Sequence, residues 1–273
     1  MNKSLREFLR YVSLNVLGML GLSCYILADT FFVARGLGSR GLAALNLAIP
    51  VYSFIHGCGL MLGMGGATRY TILRHQGRGE DGDAAFTHTL GLGLALAAAL
   101  LALGIAASGP IARWLGADGE VFAMSRTYLQ VLLLFSPAFL LNDVLLCFVR
   151  NDGAPQLSML AMVAGSLSNV ALDYIFIFPL DMGIFGAVLA TGLAPVISLA
   201  VLSPFFFRRR NRFRPVRCRP SARLSWTIAG CGLPSLVTEV SSGVVMILFN
   251  AIILRLQGNL GVAAYGVVAN LSL

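Results

Sequence analysis

Apolar residues run along this chain in long blocks separated by short polar ones. Blocks long enough to cross about 30 Å of hydrocarbon as helices fall at 11–34, 42–72, 86–108, 121–149, 156–179, 184–207 and 224–256, and another begins near 261. The connections carry turn-forming and charged residues: RGLGSRG, RHQGRGEDGD, GADGE, NDGAP, PLDMG and an arginine-rich stretch. This pattern predicts an all-α, polytopic membrane protein. Its first six spans form one unit (1–207), an arginine-rich cytoplasmic linker follows (208–223), and 224–273 begins a second, incomplete unit.

Composition supports the membrane reading. The chain is 57% hydrophobic and 12% charged, with mean hydropathy +0.81, whereas soluble domains carry about 25% charged residues. The net charge of +8 does not mark a nucleic-acid binder. Arg208, Arg209, Arg210, Arg212, Arg214, Arg217, Arg219 and Arg223 crowd one connection, as in a cytoplasmic loop facing anionic lipid. With the N-terminus inside, these arginines join Lys3, Arg6, Arg10, Arg69, Arg74, Arg78 and Arg150 on the cytoplasmic side. Only Arg35, Arg40, Arg113, Arg126 and Arg255 then lie outside, so the positive-inside rule places the N-terminus in the cytoplasm. The five cysteines (Cys24, Cys58, Cys147, Cys218, Cys231) are scattered and contain no CxxC pair, which supports neither a disulfide framework nor a metal site. The first block is too long for a signal-peptide core and has no small-residue cleavage pattern.

A displacement of 220 residues aligns Arg35-x-x-Gly38-x-x-Gly41-x-Ala43-Ala44 with Arg255-x-x-Gly258-x-x-Gly261-x-Ala263-Ala264. Both copies fall between the end of one span and the start of the next, and six spans separate them. A parallel six-helix repeat, as in several secondary transporters, has this form. The second copy stops within two helices, so the expectation is a piece of a protein of about twelve spans.

Charged and amide groups inside these blocks are the candidate chemistry, because a carboxylate at the centre of a bilayer helix costs roughly 2.5–3.5 kcal/mol on insertion scales. Asn169 and Asp173 lie one turn apart in the fifth span, on nearly the same face. At about 1.5 Å per residue, Asp29 in the first span, Asp173 in the fifth and Thr191 in the sixth fall at a common depth below the outer surface. Asn169 lies one turn deeper. Two close carboxylates in low dielectric cannot both ionise cheaply, so one keeps its proton or a cation settles between them. Oxygen ligands from Asp29, Asn169, Asp173 and Thr191 suit Na⁺, and the paired carboxylates suit H⁺; no other cofactor is expected. Asp143 falls at a different depth and reads as a cytoplasmic-gate or helix-end group. Glu239 sits near mid-membrane in the seventh span, with Pro234 nearby, and reads as a second cation or substrate contact.

Other features read as packing. Gly59-xxx-Gly63 permits close helix approach. No phosphate-binding Lys-Ser/Thr signature exists. His56, His75 and His88 show no metal spacing, and His56 reads as a packing residue. Pro137 and Pro195 are expected to bend their helices.

The stretches DTFFVARGLGSRGLAALNLAIP, RNDGAP, NVALDYIFIFPLDMGIFGAVLAT and GLPSLVTEVSSG together resemble the MATE (multidrug and toxic compound extrusion) transporters from about residue 10 onward. Within that family the resemblance is to the prokaryotic DinF-like and Gram-positive multidrug type. The resemblance implies two six-helix lobes in a V with the drug cavity between them. It also implies a coupling-cation site at Asp29, Asn169, Asp173 and Thr191, and places Glu239 in the second lobe's site. Relatives that bend the first span do so at a proline, whereas this span carries Gly18 and Gly21.

The expected function is a cation-coupled (H⁺ or Na⁺) antiporter, not an enzyme. It would export organic, often cationic amphipathic compounds as a monomer across the cell (inner) membrane. Its expected partners are these small molecules and membrane lipid, with no nucleic acid. Rival readings are a lipid-linked oligosaccharide flippase, a seven-helix receptor and an inactive truncated product. A flippase needs a basic cavity for pyrophosphate, and only Arg69, near an inner end, approaches the membrane interior. A receptor needs its N-terminus outside and leaves the repeat unexplained.

Overall fold

A computed structural model of the chain describes the backbone of residues 3–272. Side chains are described for residues 26–258 and for a few on either side. Seven helical elements make up this part: α1 (Lys3–His75), α2 (Gly79–Trp114), α3 (Gly119–Leu134), α4 (Ser136–Asn151), α5 (Pro155–Ile177), α6 (Gly183–Phe207) and α7 (Ala222–Ser272). Among the described residues, five helices are long and apolar enough to cross a membrane, and six if α3 and α4 form one bent span. The protein crosses the membrane several times. Exposed apolar side chains such as Leu94, Ile105, Leu160, Leu167 and Leu248 are the surface that lipid would cover.

Two of these elements are pairs of helices joined at a glycine. Gly38 breaks α1 with φ 68° and ψ −163°, and Gly258 breaks α7 with φ 66° and ψ −159°. That backbone region is essentially restricted to glycine, because a Cβ would collide with the carbonyls on either side. Gly38 and Gly258 form one of the two glycine pairs that the 220-residue displacement aligns, so the repeat extends to backbone torsions. Tyr128 of α3 interacts electrostatically with both Asp29 and Tyr52, which lie on opposite sides of Gly38. The two arms of α1 are therefore folded back toward each other about Gly38. Gly18, Gly21 and Cys24 lie outside the residues whose side chains are described.

The block at 121–149 does not form one straight helix. α3 and α4 meet at a 48° bend at Phe135, just before Pro137, whose ring cannot sit within a continuing helix. α6 continues through Pro195.

The glycine-rich stretch of α1 packs on two sides, as its spacing suggests. A methyl on Gly63 would lie 2.9 Å from the backbone oxygen of Asp143, and one on Gly59 would strike the Asp143 carboxylate. On the other side, a methyl on Gly65 would strike the Ile228 carbonyl, and one on Gly232 the Met61 carbonyl. In lipid, where apolar contact alone gives little driving force, such small-residue seams let backbones approach and pack. One seam binds α4 and the other binds α7.

The segment 208–221 straps the arginine-bearing end. Phe213 is fully buried among Tyr70, Phe86, Phe148 and Phe206, with ring centroids 4.6–5.9 Å away. The backbone N–H of Arg212 donates to Asp152 (2.7 Å), and that of Val216 to the Thr87 hydroxyl (2.9 Å). The arginine charges stay exposed while the strap's backbone is satisfied by the helices beneath it.

Candidate functional site

Asp29, Asn169, Asp173 and Thr191 come together inside the bundle. Asp173 and Asn169 are fully buried, and Asp29 and Thr191 retain 7% and 6% exposure. Asn169 and Asp173 share one face of α5, as i and i+4 must. The Asn169 amide, in the orientation that satisfies its neighbours, donates to Asp173 Oδ2 (3.1 Å) and accepts from the Thr191 N–H (3.2 Å). The Asp29 and Asp173 carboxylates are near enough for their charges to interact. Each keeps one buried oxygen, Oδ1, without a hydrogen-bond partner.

An unpartnered buried carboxylate oxygen is expensive in a low-dielectric interior, and two interacting carboxylates are more so. The arrangement is therefore suited to a proton or a small hard cation between them. Pro195 adds a further oxygen. It has no N–H to donate to the Thr191 carbonyl four residues earlier, so that carbonyl lacks its usual helical partner. Tyr128 of α3, 4% exposed, places its hydroxyl within hydrogen-bonding reach of the Thr191 side chain. Sequence reasoning did not select Tyr128, although it lies seven residues into its apolar block, as Thr191 does in the block at 184–207.

A cavity of about 310 Å³ adjoins this cluster, and Asn169 and Thr191 form part of its wall. It extends toward the arginine-bearing end as far as Arg150 and is also lined by His56, Asp143, Ser198 and Glu239. Here the structure departs from expectation. His56 is not a simple packing residue: its Nδ1 lies 3.0 Å from Asp143 Oδ2. Asp143 does not join the Asp29–Asp173 cluster, but it is 95% buried and lines the same cavity as Asn169. Glu239 faces the same imidazole from α7. Among the described residues, no three His, Cys, Asp or Glu side chains converge closely enough to hold a metal ion.

A family model for MatE matches residues 16–175. This chain belongs to the MATE family. Members of the family are transporters rather than enzymes. The multidrug export protein MepA of Staphylococcus saprophyticus is 29% identical over 247 residues, covering 89% of this chain and 54% of that protein. The corresponding protein of Staphylococcus aureus is 28% identical with the same coverage. A solved inward-facing multidrug resistance MATE transporter of the MOP superfamily superposes with TM-score 0.83 at 30% identity, over 94% of this chain and 60% of its own. A MATE crystal structure in complex with MaD3S superposes with TM-score 0.80 at 30% identity, covering 95% and 63%. The MATE chain described here thus spans about half the length of the curated relatives it matches.

Proposed function

We propose that the protein carrying this MATE chain is a cation-coupled antiporter that exports organic, often cationic amphipathic compounds. Asp29, Asn169, Asp173 and Thr191 would hold the coupling ion, H⁺ or Na⁺. The observation that carries this reading is the pair of buried carboxylates whose charges interact, each with an unpartnered oxygen. Asn169 and Thr191 support coupling, because they touch the ion cluster on one side and the cavity on the other. Occupation of one site can then alter the other through two global conformations. The multidrug export names of the relatives support the cargo class. The N-terminus lies in the cytoplasm of a cell membrane, by the distribution of positive charge.

Within the cavity, Asp143 and Glu239 set two carboxylates against the single guanidinium of Arg150 among the described residues. That balance favours cationic cargo over the pyrophosphate of a flippase. The test is accumulation of ethidium in vesicles containing the full protein, with Na⁺ and pH gradients imposed separately. One of the two gradients is expected to drive accumulation, and Asp29→Asn is expected to abolish it. Gradient-driven accumulation that survives Asp29→Asn would overturn the assignment.

A further inference from the structure

The inner part of the cavity contains a titratable imidazole. His56 stands between the Asp143 carboxylate of α4 (3.0 Å) and Glu239 of α7. The residues that flank it make this possible. A methyl on Gly57 would lie 2.8 Å from the Glu239 Cβ, and one on Gly59 would strike the Asp143 carboxylate. Two glycines beside one histidine thus let two acidic helices close on it from different sides. Tyr52 holds the ring from its own helix, stacked at 5.9 Å between centroids and 9° between planes.

The titratable and charged groups around the imidazole are Asp143, Cys147 and Arg150 on α4, Glu239 on α7 and Tyr52 on α1. The cavity walls from α5 and α6 are uncharged. A protonated His56 would therefore occupy the place between two carboxylates that a positively charged ligand in this cavity would also seek.

We propose that His56 is a specificity-determining residue of the cavity, whose imidazolium competes with a lipophilic organic cation for the place between Asp143 and Glu239. When the organic cation enters, the imidazolium gives its ring proton to water and remains as neutral imidazole. One positive charge enters and one leaves, so the cavity's net charge is unchanged. This rests on the exporter reading for the class of cargo but not on the Asp29–Asp173 cluster. It adds a proton exchange local to the drug cavity, separate from the ion cluster.

The test is equilibrium binding of tetraphenylphosphonium to the full protein in lipid nanodiscs across pH 5.5–8.5, with proton release followed by a dye in weak buffer. The expected wild-type result is affinity rising by up to about tenfold per pH unit on the acid side, as one-proton linkage requires. About one proton should be released per cation bound. His56→Asn and His56→Gln, which keep a polar side chain beside Asp143, should bind with little pH dependence and release no proton. Either variant that remains monodisperse suffices. Wild-type pH slope and proton release in these variants would overturn the proposal. Asp173→Asn serves as the control. Slope and release that persist in this variant support the His56 assignment. Loss of both in Asp173→Asn with retention in His56→Asn would assign the proton to the other cluster and overturn it.

Discussion

Two polar clusters share one cavity wall and are built on opposite principles. The Asp29–Asp173 cluster comes from α1, α3, α5 and α6, and leaves a carboxylate oxygen of each aspartate without a partner. The His56 cluster draws on α1, α4 and α7, and gives Asp143 a ring nitrogen at 3.0 Å. One is buried and has no basic side chain against its carboxylates among the described residues. The other opens onto a 310 Å³ cavity and carries a side chain able to supply a positive charge. The difference suggests how a single protein can treat two cations differently: a small ion fits where oxygens are left over, and a larger organic one enters where a protein cation can give way.

Four substitutions probe that contrast. The largest stability effect is expected for Phe213→Ala, because truncating a fully buried phenylalanine costs about 3–5 kcal/mol. The strap also fixes Asp152 at the end of α4, so thermal unfolding in nanodiscs should begin earlier and tetraphenylphosphonium binding should weaken before the Asp29–Asp173 side is disturbed. Gly232→Leu should come next, at about 1–3 kcal/mol or more for overpacking, since Gly232 meets the Met61 backbone and not a movable side chain. It is expected to push α7 and Glu239 away from His56, weakening organic-cation binding and sparing the α5–α6 contacts. Equal damage to both clusters would show that they are not separable.

Tyr128→Phe removes one hydroxyl beside Thr191. A loss of about 1 kcal/mol is expected for such a bond, seen as reduced ion-driven transport with unchanged tetraphenylphosphonium affinity. Arg40→Ala breaks an exposed pair with Glu120. It should shift the melting midpoint by the equivalent of less than about 1 kcal/mol and leave both clusters intact.

Much of this arrangement is legible in the sequence. Depth counting along apolar blocks brought Asp29, Asp173 and Thr191 to one level, because their spans end together at one face. The displacement that aligned Gly38 with Gly258 placed both between one span and the next, and the structure adds that both carry a backbone conformation essentially restricted to glycine. The same depth counting sets Asp143 apart from that level, and His56, read as a packing residue, is not placed by depth at all. Tyr70 bonds to Asp152 (2.7 Å) and His56 lies 3.0 Å from Asp143, so unequal lengths of α1 and α4 lie between the two contacts. Helices tilted against each other do not keep level when residues are counted from their ends. Composition also hid the role of Gly57 and Gly59, since a glycine seam that packs helices has the same spacing as one that admits carboxylates.

The most direct test of the central claim is gradient-driven uptake of a fluorescent organic cation by Asp173→Asn vesicles, measured beside its equilibrium binding. The account predicts that uptake driven by the coupling ion falls to background while binding stays within about twofold of wild type. Uptake at the wild-type rate would contradict it, because Asp173 would then not hold the coupling ion.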